Sequence, residues 1–187
     1  MDTLDAFRRA QEGFTRAVDA TGPMQWGEPT PCTDWDVRAL VNHVAGEMLW
    51  VPPLMDGQTV ADVADRFDGD VLGDDPVATW KGAADGALAA FSAPGAMEAT
   101  AHLSFGDFSG NDYCWQLIGD LAVHSWDLAR AVDADQSIPA DLAQAVYDFM
   151  APMLASFGPN DYFAAAVEVP EDASAEDRLV ALTGRKP

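Results

Sequence analysis

The sequence predicts an all-α protein, a four-helix bundle with a long crossover between its second and third helices and short elements appended at the C-terminal end. Four long segments repeat apolar residues every three or four positions, the period that lines one face of a helix. Only two short stretches, near 97–105 and 165–170, hint at extended chain. A length of 187 residues can close one sizeable core but not two domains plus a linker, so residues 1–187 read as one domain.

The first helix is expected over residues 3–20, where Leu4, Phe7, Phe14 and Val18 share a face. Gly22-Pro23 turns the chain, and a loop with Trp26, Pro29, Pro31 and Cys32 follows, too rich in proline to stay helical. For the second helix, Thr33 offers an N-cap, Asp36 answers it three residues on, and Asp34 suits the positive end of the dipole. Val37, Leu40, Val41, Val44 and Met48 form its stripe, and Val51-Pro52-Pro53 is expected to end it. Residues 54–73, rich in Gly and Asp, read as the crossover, with a brief helical suggestion at 60–67.

Pro76 suits the first turn of the third helix, which carries Val77, Trp80, Ala84, Leu88 and Phe91 and stops at Pro94-Gly95. Residues 97–111 read as an irregular loop or short strand pair. The fourth helix runs through Tyr113, Leu117, Leu121, Leu128 and Val132, and a fifth from Pro139 to Phe157. An extended piece at 165–170 and a last helix capped by Ser174 and Asp177 complete the chain.

Thirty-one acids against ten bases give a formal charge of −21, and the only lysines are Lys81 and Lys186. A field of that sign repels phosphate backbones and anionic lipid, so no nucleic acid and no membrane are expected as partners. The opening residues lack the charged start, apolar block and cleavage site of a leader, so the chain reads as cytoplasmic. Cys32 and Cys114 are too few for a disulfide framework and read as buried thiols.

Two of the three histidines, His43 and His124, lie within amphipathic segments close to their apolar stripes. A buried imidazole needs partners, and Asp120 stands one helical turn before His124 on the same face. Asp-x-x-x-His on one helix, completed by His43 from another, offers one carboxylate and two imidazoles to a divalent ion. That donor set suits zinc first, with nickel and ferrous iron as alternatives, and it lacks the thiolates of a structural zinc site. The alternative is a pair of core histidines satisfied by carbonyls or carboxylates. His102 reads as solvated or as a substrate-side contact. Asp127 is expected either to pair with Arg130 or to orient His124, and Glu47 to be solvated, to reach the ion or to act as an acid/base. Trp35, Trp115 and Trp126 read as packing residues.

Three stretches, Trp26 to Val44 (WGEPTPCTDWDVRALVNHV), Asp120 to Ala131 (DLAVHSWDLARA) and Glu176 to Pro187 (EDRLVALTGRKP), resemble a known family. It comprises actinobacterial metal-binding proteins related to the N-terminal domain of mycothiol-dependent maleylpyruvate isomerase, within the DinB-like superfamily. The resemblance implies a four-helix bundle with a metal near one end, held at positions that fall on His43, Asp120 and His124. The isomerase carries a glutamate where this chain has Asp120, and it has a further C-terminal domain for which this chain has no room. The implied role is a transferase or isomerase that uses mycothiol or another low-molecular-weight thiol on a small-molecule substrate. The alternative is a metal-dependent binding or stress-response module without turnover. A homodimer is compatible with the sequence. The loop 100–112 is expected to overhang the metal end and wall a cavity there.

Overall fold

A computed structural model describes residues 1–134, 137–157 and 164–187. Its helices are α1 (Thr3–Ala20), α2 (Val37–Met55), α3 (Val60–Val63), α4 (Pro76–Phe91), α5 (Gly110–Ala131), α6 (Ala140–Phe157) and α7 (Ala175–Leu182). One antiparallel hairpin, β1 (Thr100–Leu103) with β2 (Gly106–Ser109), lies between α4 and α5. The fold is thus the helical bundle expected, and the strand pair is minor.

The bundle is formed by α1, α2, α4 and α5, with α6 and α7 packed together beside α5. Its directions follow from contacts near the helix ends. Phe7 meets Phe91 at 5.1 Å and Phe14 meets Trp80 at 4.6 Å between ring centroids, so α1 and α4 are antiparallel. Thr3 Oγ1 bonds Asn111 Oδ1 at 2.7 Å while Gln25 Nε2 reaches Val132 O at 3.0 Å, so α1 and α5 are parallel. Arg38, at the start of α2, donates to Gly73 O at 2.8 Å just before α4 begins, and Pro52 touches Gly86, so α2 and α4 are parallel too. Parallel neighbours cannot be joined by a tight turn. The chain must return from Met55 to the level of Arg38, about 26 Å at 1.5 Å per residue, and this explains the length of the crossover. Asn42 anchors it, donating to Gly69 O at 2.9 Å and accepting from Val71 N at 2.8 Å.

Both ends of α2 differ from expectation. The helix begins at Val37, and its cap is Asp36, whose Oδ1 accepts from Ala39 N at 2.8 Å. Thr33 does not cap it, because the preceding residues are committed elsewhere. Pro29 bridges Asp36, and Thr30 takes Trp35 O on both its backbone N (3.2 Å) and its Oγ1 (2.9 Å). At the other end the helix continues through Pro52 and Pro53 to Met55. The prolines remove donors, but the Pro52 carbonyl still accepts from Asp56 N at 3.0 Å and Val51 and Pro53 are buried, so packing holds the last turn.

The segment 165–170 forms no named strand, although Val167 N bonds Ala181 O at 2.9 Å. Ser174 caps α7 as expected, accepting from Asp177 N.

Candidate metal centre

His43 lies in the second turn of α2, and Asp120 and His124 lie one turn apart on α5, which faces it. Each offers a ligand atom, and these atoms all lie within 4.8 Å of one another. Asp120 bridges the histidines: its Oδ2 is 3.3 Å from His43 Nε2 and its Oδ1 is 3.3 Å from His124 Nε2. Donors about 2.1 Å from a tetrahedral ion stand roughly 3.4 Å apart; each imidazole meets that spacing to one Asp120 oxygen, and the full set, spread over up to 4.8 Å, must draw in slightly around an ion. Asp120 Oδ2 is buried with no hydrogen-bond partner, a state that a bound cation relieves. Two imidazoles and one carboxylate therefore fit a divalent ion.

The unused nitrogen of His124 is also engaged. Its Nδ1 lies 2.9 Å from Asp127 Oδ2, so Nδ1–H donates to that carboxylate and Nε2 is turned toward Asp120, as an N–H in the imidazolium and as the ligand atom once an ion displaces that proton. Asp127 is fully buried and receives a two-pronged pair from Arg185, Nε to Oδ1 at 3.1 Å and Nη2 to Oδ2 at 2.7 Å. Of the two alternatives for Asp127, the contact with His124 is the one formed. Arg130 instead lies over the Trp126 ring at 4.5 Å.

Electrostatics follow from the same proximity. Burial opposes a charged imidazolium at His124, but the carboxylates of Asp120 and Asp127 outweigh it and raise its pKa to about 9. His43 is likewise raised, burial being overcome by Asp120. Burial pushes the Asp120 carboxyl up, and the two histidines more than reverse this, holding it well below the usual carboxylate range. Glu47, one turn beyond His43, is half-buried, and burial together with Asp120 pushes its carboxyl up. It belongs to the site's surroundings and is not the freely solvated glutamate that its position allowed.

Trp35 is half-buried against both imidazoles, with its ring 4.6 Å from His43 and 5.7 Å from His124. The turn closed by Thr30 holds it there. Trp126 is buried in the core, and Trp115 stacks on Phe149. Cys114 is buried and its thiol is pushed up to about 12. Cys32 is only half-buried, and its thiol is raised by burial and by nearby Asp127 and Asp120, against Arg185.

The loop 100–112 does not wall the cluster. His102 pairs with Thr59, and a Cβ at Gly110 would meet Met55 Cε at 2.8 Å, so the hairpin sits at the end of α2 remote from His43. Twelve helical residues separate that end from His43, about 18 Å. The chain crosses from α4 to α5 where α4 finishes, whereas the ligands lie where α2 starts. His102 bonds Asp107 Oδ1 at 2.7 Å across the hairpin and is no neighbour of the cluster. A cavity of about 510 Å³, lined by Gln11, Thr15 and Lys81, lies between α1 and α4, also away from the ligands.

Fold and cluster together define a class: helical bundles with a two-histidine, one-carboxylate site between facing helices near one end. The family described as Mycothiol maleylpyruvate isomerase N-terminal domain matches residues 7–129, and the chain belongs to that family, within the DinB-like superfamily. Two uncharacterised proteins of Mycobacterium tuberculosis, MT0763 and Rv0738, are each 31% identical over 99% of this chain and 98% of their own length. The crystal structure of the mycothiol-dependent maleylpyruvate isomerase superimposes with a TM-score of 0.61 at 14% identity, covering 88% of this chain and 72% of that one. A histidine-to-alanine mutant of that enzyme gives 0.62 with the same coverage and identity. At that identity the match shows the shared fold.

Proposed function

We propose that this protein binds a divalent metal ion, zinc before nickel or ferrous iron, through His43, Asp120 and His124, and uses it with a low-molecular-weight thiol such as mycothiol in a transferase or isomerase reaction. The observation that carries the metal reading is the convergence of the three side chains around the buried, unpartnered Asp120 Oδ2. Membership of a family described by a mycothiol-dependent isomerase supports the thiol. When bound, the ion supplies Lewis acidity that lowers the pKa of a coordinated water or thiol. The chain's own residues do the rest. Asp127 keeps the His124 ring in the tautomer that presents Nε2, Trp35 excludes water from one side of both imidazoles, and Glu47 supplies a carboxyl that can hold or pass a proton beside the cluster.

The test is metal analysis of purified wild type and His43→Ala, followed by calorimetric titration of each with mycothiol. Wild type should carry close to one ion per chain and bind the thiol. His43→Ala should lose both while still melting cooperatively. Unchanged metal content in the variant would remove His43 from the site. A loaded wild type indifferent to the thiol would leave a metal-dependent binding module as the function.

A further inference from the structure

The tail segment Thr183-Gly184-Arg185 reaches α5 through the pair between Arg185 and Asp127. We infer that Arg185 is a positioning residue for the candidate metal site, acting through Asp127 to hold His124 with its Nε2 toward Asp120 and His43; the inference rests on the metal reading of that cluster. Each guanidinium nitrogen makes a hydrogen bond, Nε and Nη2 donating to Asp127 and Nη1 to Thr183 O at 3.0 Å. It is therefore committed to the carboxylate and is not a free anion receptor. The planar fork fixes both Asp127 oxygens, and one of them, Oδ2, is the atom that meets His124 Nδ1.

The backbone aims the arginine. Gly184 N bonds Ala181 O and Arg185 N bonds Val180 O, both at 3.0 Å, the paired closure that ends a helix through a left-handed residue. That residue is Gly184, at φ 85°, and a Cβ there would stand 2.6 Å from Ala164 Cβ. Only glycine fits, and the reversal it permits carries Arg185 back onto α5. The last helix thereby acquires a role at a site to which it gives no ligand.

Zinc affinity, measured by competition with a chromophoric chelator, tests this on wild type, Arg185→Met, Arg185→Lys and the double variant Asp127→Asn with Arg185→Met. Melts of the metal-free proteins and imidazole nitrogen shifts of His124 accompany it. Arg185→Met should weaken zinc binding by about 10- to 100-fold, the usual effect of losing an outer partner of a ligating histidine. Arg185→Lys keeps the charge without the fork and should fall between. The double variant leaves no buried charge unmatched, so its melting temperature should recover while zinc affinity stays low and His124 populates both tautomers. If Arg185→Met alone does not fold, the double variant carries the comparison. Full recovery of zinc affinity in the double variant, or unchanged affinity in Arg185→Met, would reduce Arg185 to a structural ion pair. A wild type that takes up no zinc would sink the metal reading and this inference with it.

Discussion

At the scale of the residue, the decisive fact is that His43 and His124 are held ready for a cation by carboxylates that equally well retain protons. The raised pKa of His124, about 9, means that in the metal-free protein its ring is protonated at neutral pH, and His43 is shifted in the same direction. A metal takes the neutral imidazole, so binding must expel those protons. Zinc titration at pH 7 in two buffers of different ionisation enthalpy should show at least one proton released per ion, and apparent affinity should climb as pH rises toward 9. The metal-free chain should behave oppositely. A histidine whose folded pKa lies above its unfolded value of about 6.5 adds stability that is complete below 6.5 and is lost as pH rises through about 9. Melting curves from pH 6 to 9.5 should therefore slope downward without zinc, whereas with zinc they should rise slightly up to about pH 6.5 and then stay level. Parallel slopes would mean that the histidines do not exchange protons for the ion.

Among the elements, α2 gives the sharpest check, because two residues compete for the role of its cap. Asp36→Ala removes the side chain that accepts from Ala39 N and should cost about 1 kcal/mol, whereas Thr33→Ala, outside the helix, should be nearly neutral. Urea denaturation of both variants measures the difference, and the reverse order would restore the earlier boundary. The same helix shows what sequence can carry. Its stripe from Val37 to Met48 was legible because periodicity survives whatever the neighbours do, and so was the Asp120 and His124 pair, one turn apart on a single helix. The start of α2 was not legible, because the bridge between Pro29 and Asp36 is a tertiary contact that no local propensity announces. Trp35 packs against the core as expected, but its contact with two histidines was not legible for the same reason, since it depends on the turn that Thr30 closes. Arg185 could have been suspected only from Gly-Arg after the last helix, since no spacing ties a tail to a helix 58 residues away. The loop 100–112 was sent to the wrong end because its placement depends on which helices are parallel.

For the whole molecule, the core stands apart from the cluster. Phe7, Phe14, Trp80, Phe91 and Leu121 are buried along the bundle, so apolar side chains of the four helices supply the core. Chelation should therefore lower the melting temperature without abolishing the transition. An ion present at 100 times its Kd adds about 2.7 kcal/mol, roughly 5–10 °C for a chain of this size. Scanning calorimetry with and without chelator measures the shift, and loss of the cooperative peak would make the ion a folding requirement. Synthesis adds an order of events, for Asp127 precedes Arg185 by 58 residues, a gap of about 3–12 s at translation rates of roughly 5–20 residues per second. The three ligands are thus made before the arginine that steadies one of them. An ion captured before Arg185 has been made would meet a site without that support, and one captured afterwards would meet it complete.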